Sequence, residues 1–129
     1  MDTKTASVIL GIIFIAVGLL GFIPNPIIGG SHDALFHANT LHNNVHIISG
    51  TLLLIVGLTA PASASTFLKI FGAIYFLLGV LGLISFGTDG MGKILGFLHV
   101  NGPDNLLHIA LGAVIFIAGT MLPMAKIDE

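Results

Sequence analysis

The sequence predicts an all-α integral membrane protein, a four-helix bundle made of two tandem, parallel helical-hairpin repeats. Three observations lead there. Only 8% of the residues are charged while 55% are hydrophobic, and the mean hydropathy is +1.07, so too little polar side chain exists to cover a water-facing exterior. Four stretches approach the roughly 20 apolar residues that a helix needs to cross a bilayer. The second half of the chain also repeats the first. At one fixed offset His37, Asn39, Asn43, His46, Gly50, Gly57 and Pro61 fall on His99, Asn101, Asn105, His108, Gly112, Gly119 and Pro123. At an offset one residue shorter, Gly11, Gly18 and Gly21 fall on Gly72, Gly79 and Gly82. These are polar and backbone-special positions, which shared hydrophobicity alone does not align.

Residues 1–129 therefore read as a single transmembrane domain, with repeat 1 over about residues 5–62 and repeat 2 over about 66–124. The predicted spans run from Ser7 to Ile23, Leu41 to Ala60, Phe67 to Phe86 and Asp104 to Leu122. Backbone polar groups must be paired within each segment in lipid, so all four are helices. The first, an apolar run behind Lys4, has the look of a signal peptide, but its match to the third span keeps it in the fold. Pro61-Ala62-Ser63-Ala64-Ser65 makes a tight turn between the second and third spans. The connections after the first and third are much longer. Within them Asp33 to Asn39 and Lys93 to Asn101 are apolar enough to lie as short helices or re-entrant turns on the membrane face, capping the bundle.

Lys4, Lys69 and Lys126 lie on the side of the termini and Lys93 on the other, which places both termini in the cytoplasm and the six histidines at or near the extracytoplasmic face. Each repeat holds two spans, so both copies share one orientation about a pseudo-two-fold axis along the membrane normal. Every span carries a glycine pair two helical turns apart: Gly11 and Gly18, Gly50 and Gly57, Gly72 and Gly79, Gly112 and Gly119. Each pair makes a stripe on which a neighbouring helix can approach closely. The space against Gly50 and Gly112, one turn beyond a histidine, would also take a flat cofactor or a lipid.

The polar residues concentrate at the starts of the second and fourth spans. Thr40 suits a helix N-cap, and Pro103 with Asp104 suits a first turn. His42 and His46 then share a helix face, as do Asp104 and His108. Brought together at the pseudo-axis, His42, His46, Asp104 and His108 form a credible ligand set for a divalent transition metal, zinc, copper or iron. His37, Asn39, Asn43, His99, Asn101 and Asn105 would orient those ligands from behind or add to them. The plainer reading is a structural polar network that satisfies helix ends and loops, with Asn43 and Asn105 cross-linking them and His46 and His108 neutral. A third reading makes His46 and His108 the axial ligands of a b-type haem or another tetrapyrrole, although no arginine is present to hold propionates. Protonation near pH 6 of a metal-free histidine cluster would destabilise it by like-charge repulsion.

Several function classes fall away. The net charge of -2 offers no electrostatic case for nucleic acid. No cysteine is available for a disulfide or a thiolate metal site. No nucleophile sits in a recognisable catalytic arrangement, Ser31, Ser49 and Ser85 included, and no phosphate loop or dinucleotide fingerprint is present. No ionisable side chain lies deep in a span to relay an ion, and Thr51, Thr59 and Tyr75 are too few to line a polar path.

The phrases Ala38-Asn39-Thr40-Leu41-His42-Asn43-Asn44-Val45-His46 and Val100-Asn101-Gly102-Pro103-Asp104-Asn105-Leu106-Leu107-His108 give the chain its resemblance to a bacterial family of small four-span membrane proteins, domain of unknown function 4383. There a phrase like V-N-x-L-H-N-x-V-H-x-x-x-G opens span two and one like V-N-x-x-D-N-x-L-H-x-x-x-G opens span four, with Ala38 here in place of the usual valine. The resemblance covers nearly the whole chain and implies an integral protein of the bacterial inner membrane, without an activity to carry over. The expected function is that of a non-catalytic membrane protein, accessory to a larger membrane complex or a small homo-oligomer in the lipid bilayer. Its histidine, asparagine and aspartate cluster is structural or holds a metal. The alternative is haem binding.

Overall fold

The computed structural model describes residues 1–31 and 33–125; His32 and Lys126, on which part of the orientation argument falls, lie outside the described residues. Four helices dominate: α1 (Thr3–Leu20), α2 (Thr40–Thr59), α3 (Ala64–Phe86) and α4 (Gly102–Met121). All four are long and apolar enough to cross a membrane. A short 3-10 turn, Pro61–Ser63, leads directly into α3.

The helix ends are chemically determined and shift some predicted boundaries. The first helix begins at Thr3 rather than Ser7, because the Asp2 carboxylate accepts a hydrogen bond from the Thr5 amide at 2.8 Å and relieves one of the unpaired donors of a helix start. It stops at Leu20 rather than Ile23, where Pro24 and Pro26 flank Asn25. The Asn25 amide donates to the Leu20 carbonyl at 3.0 Å, while its oxygen accepts from the Ile27 and Ile28 amides, both at 2.9 Å. One side chain thus caps the helix and knots the chain that leaves it. The N-cap of α2 is Asn39, not Thr40. At the end of α3, Gly87 takes φ +68, a conformation that glycine adopts without a Cβ clash.

Two close helix pairs form the bundle, α1 against α2 and α3 against α4, and the glycine stripes are their contact lines. A Cβ on Gly11 would stand 2.7 Å from the Gly50 oxygen, and one on Gly72 the same distance from the Gly112 oxygen. Gly18 backs onto Asn43 and Ile47, Gly79 onto Asn105 and Ile109. Gly50 and Gly112 thus point into partner backbone. Between the two pairs lies the core, with Leu53, Leu68 and Ile115 fully buried and Phe14 and Tyr75 beside them. The backbone closes at the terminal end, where the Thr3 amide donates to the Pro123 carbonyl at 3.0 Å.

The long connections do cap the bundle, but as short strands rather than the short helices or re-entrant turns anticipated. β1 (Ile28–Gly29) pairs in parallel with β2 (Phe36–His37), and β3 (Met91–Ile94) forms an antiparallel hairpin with β4 (Leu98–Asn101). Both β2 and β4 run straight into an asparagine cap, Asn39 and Asn101, whose extended backbone is the ordinary N-cap conformation. A helix at this point would have to unwind before the next could start. The β3–β4 turn places Leu95 and Gly96 at φ +55 and +81. Ile94, Leu98 and Val100 bury against Val45, Leu78 and Phe86, so the hairpin is a packed lid.

Candidate functional site

Five histidines, His37, His42, His46, His99 and His108, gather at the end of the bundle under these strands. Two asparagines hold the helix starts in place. Asn39 accepts from the His42 amide at 2.9 Å and donates across the molecule to the Phe97 carbonyl at 2.9 Å. Asn101 accepts from the Asp104 amide at 3.1 Å and donates back across to the Leu35 carbonyl at 2.9 Å. Each asparagine is therefore both cap and strap, and the two straps are reciprocal. Where they cross, the His37 and His99 rings meet edge to face with centroids 5.5 Å apart. Burial holds the His99 imidazole below its ordinary pKa, with His37 and Lys93 adding to the effect.

Beneath the straps His42, His46 and His108 converge. All three are at least nine-tenths buried, and one ring nitrogen from each lies within 4.8 Å of the others. The spacing of His42 and His46 by one helical turn brings their rings to 4.6 Å, and α4 adds His108 at 5.5 Å from His42 and 6.2 Å from His46. Nδ1 of His42 lies 2.7 Å from the His99 carbonyl oxygen. A carbonyl only accepts, so that nitrogen carries the proton. Nδ1 of His46 and Nδ1 of His108 are buried without a hydrogen-bond partner, an expensive state for polar atoms.

Asp104 does not join the three histidines. Its carboxylate accepts from the Asn101 amide at 2.9 Å, completing a capping box at the start of α4, which is where a helix start gains most from a negative charge. Asn43 and Asn105 are buried against Gly21 and Gly82. Asn105 makes a long 3.5 Å hydrogen bond to the Gly87 carbonyl, and the side-chain oxygens of both asparagines have no partner. They fill the helix contacts more than they cross-link the loops.

Two further polar groups border the cluster. The Tyr75 hydroxyl is 2.9 Å from the Ser49 hydroxyl, and the Tyr75 ring lies 5.7 Å from His108 and 6.3 Å from His46. Phe14 closes the same side, 5.9 Å from His46 and 5.1 Å from Tyr75. Sequence reasoning passed these over, although the signals exist. Ser49 lies three residues after His46 on one helix face, and Tyr75 occupies in the second half the place that Phe14 occupies in the first.

The geometry defines a class: a four-helix protein with membrane-length spans and a buried cluster of three histidines at one end. Residues 4–121 match the family described as "Domain of unknown function (DUF4383)", and the chain belongs to that family. Neither a curated protein nor a solved structure matches it.

Proposed function

We propose that this is a non-catalytic membrane protein that holds a divalent transition metal ion at His42, His46 and His108, with both termini in the cytoplasm. The observation that carries the reading is the convergence of three buried imidazoles, two with an unpartnered nitrogen and one with its tautomer fixed by a backbone carbonyl. That carbonyl contact is how metal-binding histidines are usually oriented from behind. Three imidazoles with no thiolate suit zinc, copper or iron and leave a fourth coordination position open. The doubled sequence and the reciprocal asparagine straps support two tandem hairpin repeats about an axis through the cluster. Lys4 and Lys69 at the terminal end, against Lys93 at the strand end, support the orientation.

The packing favours a bare ion over haem. His42, Tyr75 and Phe14 fill the flanks of the His46 and His108 pair, where a porphyrin plane would lie. The outward faces of the spans, with Ile55, Leu58, Ile84 and Ile117 exposed, suit lipid or the subunits of a larger membrane complex.

The test is elemental analysis with a visible spectrum on protein purified without a histidine tag, wild type beside His46→Ala/His108→Ala. Near-stoichiometric metal in the wild type, lost in the double variant and without Soret absorption, is the expected result. Metal-free, colourless wild-type protein that still folds would leave the histidines as structural groups.

A further inference from the structure

Beside the histidine cluster, α1 and α4 separate to leave a crevice of about 260 Å³. Its walls are apolar, running along α1 from Leu10 to Val17 and along α4 to Leu111, under a roof of Ile28 and Phe36. Ile13 and Leu107 flank its mouth, 49% and 41% exposed on the surface that faces hydrocarbon. At its inner end stand His46 and His108, both nine-tenths buried and both with an unpartnered Nδ1, with the Asp104 carboxyl nearby. An apolar slot with a few convergent polar groups is the ordinary form of a small-molecule site.

We propose that this crevice binds the ring of a lipid-soluble quinone or quinol, entering sideways from the bilayer with one ring oxygen set against His46 and His108. Four properties of the site select that class. The mouth faces hydrocarbon, so the ligand arrives through lipid and carries an apolar tail. No lysine or arginine lines the crevice, so an anionic headgroup such as a fatty-acid carboxylate finds no counter-charge. A bare acyl chain would leave the imidazole nitrogens without a partner, whereas a neutral imidazole donates to a quinone carbonyl or accepts from a quinol hydroxyl. A cavity of about 150 Å³ takes one benzene ring, so the present volume accommodates a substituted ring, and Phe14 and Phe36 supply aromatic walls. This inference shares His46 and His108 with the proposed metal centre, so a ring oxygen and an ion are alternative occupants of the same two nitrogens, and the ring needs no ion because hydrogen bonds to nitrogen suffice.

Tyr75 is the single tyrosine in a chain without tryptophan, and its ring packs on Phe14 and His108. Its fluorescence therefore reports on the crevice. Decylubiquinone titrated into detergent-solubilised protein should quench it saturably. Ile13→Phe and Val17→Phe, which fill the mouth and the wall without touching a histidine, should each weaken that binding by about tenfold or more. Metal content and thermal unfolding of both variants should match the wild type, which separates blocked access from misfolding. Saturable quenching in metal-free protein would support the crevice while removing the metal reading. Linear, unsaturable quenching that is equal in wild type and variants would overturn the proposal even if metal is bound. Displacement of the quinone by palmitate or cholesterol as readily as by decylubiquinol would overturn its ligand class.

Discussion

The two halves of the chain solve the same packing problem with the same glycines and then part company where chemistry begins. Gly11 on Gly50 and Gly72 on Gly112 are near copies, as are the Asn39 and Asn101 caps. At the next position that matters, the first half places His42 and the second Asp104. His42 turns inward and gives the cluster its third imidazole, while Asp104 turns back to its own helix start and completes the capping box. Likewise Phe14 in the first half is an apolar wall, and its counterpart Tyr75 brings a hydroxyl that meets Ser49. The positions that the halves share build the scaffold, and those where they differ set the character of the site.

Making the halves alike is the sharpest way to break this comparison. His42→Asp recreates the second half's pattern in the first. It should remove bound metal entirely while leaving a folded protein with a second capping box, as elemental analysis and thermal unfolding in detergent would show. Retained metal would mean that the centre does not need a third imidazole. Next in size, Gly72→Ala and Gly11→Ala both force a methyl into opposing backbone, at a cost of about 1–3 kcal/mol from overpacking. Gly72 should be the worse of the two, since its new Cβ would also press on the Phe116 amide more closely than anything near Gly11. Equal losses in unfolding free energy would show that the second pair has more room to relax.

Asn39→Ala and Asn101→Ala each remove one cap and one strap, and should each cost about 2 kcal/mol, roughly half from each interaction. The second loss should be smaller once the first strap is gone, because both straps hold the same pair of loops together. Strictly additive losses in the double variant would argue against that coupling. The smallest effect concerns α1 and α3, which differ at their starts: α1 has a side-chain cap from Asp2, whereas Ser63 gives α3 none. The hydrogen bond from Thr5 holds the Asp2 carboxyl below its ordinary value of 3.8. A carboxyl with a depressed folded pKa contributes stability above its unfolded value and loses it as pH falls through the folded one. Amide exchange at the first turn of α1 should therefore quicken as pH drops below about 3.8 once intrinsic rates are divided out, and Asp2→Ala should remove that dependence.

Much of the scaffold was legible in the sequence because lipid leaves few choices: span length, glycine spacing and the doubled polar phrases point the same way. The convergence of His42, His46 and His108 was anticipated from helical spacing and the doubled phrases. Asp104 was assigned to the ligands because proximity is readable from spacing and allegiance is not. The pattern Asn101-x-x-Asp104 is itself a capping signal, and local backbone bonds won over the distant cluster. β1 and β2 were not legible because they hold two residues each, too few for any periodicity, and their pairing is fixed by the helix ends they join. The crevice between α1 and α4 has no sequence signature, since it depends on how far two helices that are distant in the chain stand apart.

The reciprocal straps also impose an order on assembly. Asn39 bonds to a carbonyl 58 residues away and Asn101 to one 66 residues away, so neither bond can close while the other loop is still being synthesised. The first hairpin must enter the bilayer with its Asn39 amide unanswered and with two of the three histidines unaccompanied. The site is thus completed only when the second loop and the start of α4 have joined the first hairpin.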